Sequence, residues 1–156
     1  MDRSAYLSSL PRKRVAAAAL IRDERARVCV VKGNYRPDWH FPGGTIEADE
    51  SPAAGCRREL LEELGLSIDL GRLLCVEWVT DGRDDAHGGL QLVYDGGVLP
   101  DDAIAHVVLP ADELDDARFL AVEDALGLLS LRNQRRLTAG LAALLDGSVA
   151  ELDRQR

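Results

Sequence analysis

Two apolar runs open the pattern. "RVAAAALIRD" (14–23) and "RVCVVKG" (27–33) are β-prone and are split by the charged turn Asp23-Glu24-Arg25. They predict two strands, either a hairpin or neighbours in one sheet. "NYRPDWHFPGG" (34–44), with two prolines and two glycines, predicts a loop with a short strand around His40 and Phe41. "SPAAGCRRELLEELG" (51–65) then changes to helical spacing, with Ser51 as N-cap, Pro52 in the first turn and Gly65 just past the end. Strands are expected at "GRLLCVEWVT", "LQLVYDGG" and "IAHVVL", with "DGRDDAHGG" as an exposed loop that suits a specificity role. "DDARFLAV" predicts a strand and "VEDALGLL" a short helix. "LRNQRRLTAGLAALLDG" predicts a final helix carrying Leu137, Leu141, Leu144 and Leu145 on one side and stopping at Gly147.

This order predicts an α/β fold, a mixed sheet with helices packed on its faces. The expected division is a lead-in over 1–12, one domain over 13–147 and a tail over 148–156. The length of 156 residues suits a single core, and there is no internal repeat. No apolar run reaches the ~20 residues of a membrane span. The opening "MDRSAYLSSLPRKR" lacks the apolar stretch of a secretory leader. Cys29, Cys56 and Cys75 are odd in number and form no CxxC pair, which fits buried small residues in a reducing, cytoplasmic setting. A net charge of -8 argues against a general grip on nucleic acid or anionic membrane. It leaves open a small phosphorylated ligand, because a metal ion can supply the local positive charge.

The candidate chemistry sits in the helix over 52–64. At ~100° per residue, Ala53, Cys56, Leu60, Leu61 and Leu64 share one arc. Arg58, Glu59, Glu62 and Glu63 share the other, and Arg57 falls among the apolar positions. Three glutamates within one helical turn repel one another, and only Arg58 is local enough to offset them. A solvated acidic face is one reading. The other is a carboxylate ridge for a hard divalent cation such as Mg²⁺, or Mn²⁺ in its place.

The segment "GGTIEADESPAAGCRRELLEELGL" resembles the Nudix box, G-x5-E-x7-R-E-U-x-E-E-x-G-U with U aliphatic. Gly44, Glu50, Arg58, Glu59, Leu60, Glu62, Glu63, Gly65 and Leu66 fill its fixed positions. The resemblance implies a Nudix fold with the sheet sandwiched between helices. It implies metal-dependent hydrolysis of a nucleoside diphosphate linked to another moiety. A nucleoside triphosphate pyrophosphohydrolase is the alternative substrate class, and a non-catalytic ligand-binding module on the same scaffold is the alternative function. Carried over by position, Glu59, Glu62 and Glu63 would bind the metal and Arg58 would hold them. Glu50 would support the loop, Gly44 would permit the turn, and Glu59 or Glu63 would be the general base. Glu113 would be a further ligand or an exposed loop residue, with Glu77 and Asp95 as weaker candidates.

On the substrate side, Lys32 and Arg36 are either phosphate contacts or surface charges. Trp39 stacks on a base or packs in the core. Tyr35 lies beside them, and the Gly43-Gly44 backbone is the close approach to the ligand. Trp78 reads as core or dimer contact, and a homodimer is an open expectation. His40, His87 and His106 have no metal spacing and read as structural or exposed.

Overall fold

A computed structural model describes residues 2–80 and 88–153. The central strand is β1 (Arg14–Asp23), whose alternate side chains feed two separate cores. Ala17, Ala19 and Ile21 point to one face, and Ala18 and Leu20 to the other. Burial on both faces explains why this strand reads as an unbroken apolar run. β1 pairs antiparallel with β2 (Val28–Gly33), and parallel with β6 (Gly89–Leu99). β6 pairs antiparallel with β5 (Leu73–Val79), and β2 pairs antiparallel with β7 (Leu114–Leu120).

Helix α2 (Pro52–Leu64) covers one face through Cys56, Leu60 and Leu64. Its Ser51 side chain accepts from Ala54 N, a cap worth ~1 kcal/mol. It ends at Gly65 in the left-handed conformation. Helices α4 (Val122–Leu128) and α5 (Leu131–Asp146) cover the opposite face through Ala125, Leu129, Leu137 and Ala143. The sheet is therefore sandwiched between helical layers, as expected. Among the described residues no helix is long and apolar enough to cross a membrane.

Several segments depart from the sequence expectation. The lead-in carries a short helix, α1 (Arg3–Ser9), with no buried residue. The loop over 34–44 supplies the short strand expected near His40 and, beyond it, a second strand piece. β3 (Trp39–His40) pairs with β2, and β4 (Gly43–Thr45) pairs with β1. "IAHVVL" is not a strand. Pro100 and the acidic Asp101 and Asp102 favour a helix start, giving α3 (Asp101–Ile104). Val107 and Leu109 then pack on the α2-side core without a ladder. The tail contributes β8 (Ala150–Asp153), which joins β5 in parallel. Four residues are too few to show a period, so only the turn after α5 reveals that strand. Of the expected loop over 81–89, residues 81–87, with His87, lie outside the described residues, and Gly89 already belongs to β6.

Candidate active site

The helix α2 is turned differently from its apolar arc. Leu61, expected inward, is 55% exposed, while Glu63, expected outward, is only 4% exposed. Arg57 is exposed. The buried stripe is Cys56, Leu60, Glu63 and Leu64. Glu63 is drawn in because its carboxylate accepts the Gly43 N–H at 2.7 Å, satisfying a donor on the short strand β4.

Gly43 and Gly44 let β4 run this close to α2 and β1. Gly43 has φ of 139°, and a Cβ there would lie 2.2 Å from Ala17 O. A Cβ on Gly44 would fall 2.4 Å from the Glu59 carboxyl carbon. The backbone at these two residues is therefore seated directly on the carboxylates.

Arg58 is the hub of the acidic cluster. Its guanidinium donates to Glu50 at 2.7 Å, Glu59 at 2.9 Å, Glu62 at 3.1 Å and the Thr45 carbonyl at 3.1 Å. Glu50 also accepts Glu47 N, so it ties the loop before α2 to Arg58. The Arg58 hydrogen bonds hold Glu50 below the usual carboxylate range. Burial pushes Glu59 up despite Arg58, with Glu62 and Glu113 adding to the rise. Burial also pushes Glu63 up to about 8, and the charges of Glu59, Glu113 and Glu62 add to it. Burial and neighbouring like charge both penalise the ionised form of such a carboxylate.

Carboxylate oxygens on one helix are the donors that hard divalent cations take, so the residue types fit Mg²⁺ or Mn²⁺. Their present arrangement is a closed one. Glu59 and Glu62 are engaged by Arg58 and Glu63 by Gly43 N, and among the described residues no three His, Cys, Asp or Glu groups converge on a single ion position.

A cavity of about 280 Å³ opens beside this cluster, with Glu59, Gly43 and Gly44 at one end. Arg36 and Tyr35 line it, as does His40, which the sequence pattern left structural or exposed. The His40 Nδ1 lies 2.9 Å from Phe41 O, and Nε2 is buried without a partner. Burial pushes this imidazole below its ordinary value, against the pull of that hydrogen bond, so it is neutral at pH 7. The sequence reading missed Gln91, Asn133 and Arg136, which form another wall. Asn133 and Arg136 stand three apart on the side of α5 that buries Leu137 and Gly140, so a polar pair on a core-facing stripe was the available signal.

Other candidates lie elsewhere. Lys32 pairs in register with Trp39 and Asp116 and does not line the cavity. Trp39 packs on the α4/α5-side core with the Arg118 guanidinium 4.8 Å from its ring centre, and so takes the packing role. Glu77 is buried against Arg136, and Asp95 pairs with Arg22 at 2.7 Å. Glu113 is partly buried, and its backbone carbonyl accepts Asn34 N, which ties its loop to the end of β2. Trp78 donates to Glu151 at 3.0 Å across β5 and β8, and His106 is exposed.

Residues 12–140 match the family model for the NUDIX domain, and the chain belongs to that family. It is 30% identical over 73 residues to a MutT-like protein of Streptomyces ambofaciens, covering 47% of each chain. It is 42% identical over 66 residues to human diphosphoinositol polyphosphate phosphohydrolase 3-alpha, covering 41% of this chain and 40% of that one. The matched segments thus span under half the length of these curated relatives. A solved UDP-X diphosphatase superposes with a TM-score of 0.75 at 20% identity, over 98% of this chain and 76% of that one. That likeness shows the shared fold.

Proposed function

We propose that this chain is a divalent-metal-dependent hydrolase that cleaves the pyrophosphate bond of a nucleoside diphosphate linked to another moiety. One observation carries the reading. Glu59, Glu62 and Glu63 stand within one turn of α2, held by Arg58 and the Gly43 N–H, and Glu59 lines a cavity that Gly43 and Gly44 also line. Such a cluster is short of positive charge, and a diphosphate brings more negative charge to it. When bound, Mg²⁺ or Mn²⁺ would neutralise phosphate oxygens and activate water.

The chain's own residues have separable tasks. Arg58 fixes Glu50, Glu59 and Glu62 relative to one another through charge-assisted hydrogen bonds. Glu63 fixes α2 to β4 through Gly43 N. Glu59 lines the cavity, and its raised proton affinity suits a base that takes the proton of an attacking water at its carboxylate oxygen. Arg36, at the cavity rim, is the candidate phosphate contact. Glu113 remains a candidate acidic ligand because its charge is felt by both Glu59 and Glu63. The three free, buried cysteines support a cytoplasmic setting.

The test is a substrate panel with Mg²⁺ and with Mn²⁺, covering nucleotide sugars, ADP-ribose, dinucleoside polyphosphates and nucleoside triphosphates. Hydrolysis of diphosphate-linked substrates to two monophosphate products is expected, with loss of turnover in Glu62→Gln and Glu63→Gln. Release of pyrophosphate from triphosphates instead would favour the MutT-like substrate class. No turnover of any substrate, with metal bound, would overturn the enzyme reading in favour of a binding module.

A further inference from the structure

We infer that Arg136 is a recognition donor for the nucleobase, and that the cavity selects bases whose edge pairs a carbonyl oxygen with a ring N–H. Guanine and uracil carry that edge; adenine and cytosine place an exocyclic amine there. The inference rests on the nucleotide reading of the same site and extends it to the class of base.

The cavity is chemically polarised. Glu59, the member of the acidic cluster that lines the cavity, stands on α2 beside Gly43 and Gly44. Gln91, Asn133 and Arg136 lie on a wall served by other elements. A second cavity of about 170 Å³ shares Arg36, His40, Asn133 and Arg136 with the first, so this wall is open from two sides.

Arg136 is a costly residue to keep there. It is 8% exposed, and burial lowers its proton affinity against the support of Glu77. Glu77 is 1% exposed and accepts Arg136 Nε at 2.5 Å. A well-packed apolar pair of similar volume is commonly as stable as a buried ion pair, so packing alone does not account for it. Arg136 Nη1 donates to Asn133 Oδ1 at 2.8 Å, and Nη2 has no hydrogen-bond partner among the described residues. Glu77 and Asn133 thus fix the planar fork in place and leave donors over. These are the donors that a guanidinium offers to carbonyl and ring-nitrogen acceptors of a base.

An acceptor stands beside it. Gln91 sits directly across from Glu77 in the β5–β6 ladder, on the same face. Its Nε2 reaches Leu92 O at 3.3 Å, which leaves its amide oxygen to accept. His40 lines the same cavity, with its Nδ1 turned to Phe41 O at 2.9 Å. A donor fork beside an acceptor complements a carbonyl next to an N–H. An exocyclic amine would face the guanidinium donor to donor, leaving both unpaired, which is the stronger source of discrimination.

The experiment is calorimetric titration of GDP, UDP, ADP and CDP into the full chain with Mg²⁺, with turnover of the matching nucleotide sugars followed in parallel. GDP and UDP should bind at least ~5-fold more tightly than ADP and CDP, the lower end of what a good arginine–base pair discriminates. Arg136→Lys keeps a cation beside Glu77 but removes the fork, and should reduce the preference to within about twofold. Should that variant fail to fold, Gln91→Leu tests the acceptor side and should weaken GDP and UDP alone. Equal binding of all four, binding of none, a preference for ADP and CDP, or a preference unchanged by these substitutions would overturn the inference. Selective binding without hydrolysis would instead sink the hydrolase reading and leave this one standing.

Discussion

Gly43 and Gly44 are neighbours, but alanine at each should do opposite things. At Gly43 the added Cβ meets backbone on three sides of contact, 2.2 Å from Ala17 O, 2.5 Å from Ala18 Cα and 3.0 Å from Ala17 C. Backbone in a paired strand cannot rotate aside, so β4 must part from β1. The φ of 139° adds strain on the order of 1–3 kcal/mol for any residue with a side chain. Losing the Gly43 N–Glu63 hydrogen bond adds ~1–3 kcal/mol, because a buried carboxylate loses its donor. Gly43→Ala should therefore cost at least ~3 kcal/mol, a fall of roughly 6–12 °C in Tm for a domain of this size. At Gly44 the Cβ meets only the Glu59 carboxylate, at 2.4 to 2.7 Å, which is the far end of a flexible side chain. That carboxylate swings away from Arg58 and the cavity, while the fold stays intact. Gly44→Ala should melt within ~3 °C of wild type, a change of about 1 kcal/mol or less, and lose metal-dependent turnover by at least ~10-fold, since misplacing a reacting group by 1 Å costs on the order of 10²-fold. Thermal melting and steady-state kinetics on the two variants decide the matter. A Gly44→Ala protein as unstable as Gly43→Ala, or one fully active, would refute the steric reasoning.

Other expectations follow from the same geometry. In the metal-free protein, Glu63 has a folded value of about 8 against ~4.5 when unfolded, so the folded state binds its proton more tightly. Its contribution to stability should therefore be full below about pH 4.5 and lost as pH rises toward 8, amounting to a few kcal/mol at most; urea titrations in EDTA at pH 5 and pH 8 should show this fall in wild type and a flatter response in Glu63→Gln. Arg136→Ala leaves the buried Glu77 carboxylate only the longer Arg135 contact at 3.9 Å and should destabilise by ~3–5 kcal/mol, read as a shifted urea midpoint with an unchanged m-value. Ala26 holds a positive φ of 59° in the β1–β2 turn, so Ala26→Gly should raise stability by up to ~1 kcal/mol, seen as a small rise in Tm with activity untouched. Arg58→Ala removes the common partner of Glu50, Glu59 and Glu62; metal-free protein should melt lower, and Mg²⁺ should raise its Tm by more than it raises that of wild type.

The sequence alone determined the sandwich, the extent and caps of α2, and the residues of the acidic cluster. These rest on short-range physics. Ser51, Pro52 and Gly65 act on the backbone within a turn of themselves, and the spacing of Arg58, Glu59, Glu62 and Glu63 sets which of them Arg58 can reach. What the tertiary structure decided is everything that depends on a contact distant in the chain. Glu63 turns inward because a strand twenty residues earlier presents an unpaired Gly43 N–H, which no helical periodicity encodes. Leu61 and Leu145 stay outside because α2 and α5 turn other residues toward the sheet, Glu63 on the one and Arg136 and Leu137 on the other. β8 exists because β5 offers an edge, and its four residues carry no pattern of their own. The far wall of the cavity is assembled from Gln91, Asn133 and Arg136, with Glu77 behind it. These side chains look like ordinary strand and helix residues until β5, β6 and α5 pack together and leave a buried ion pair facing the space where a ligand would sit.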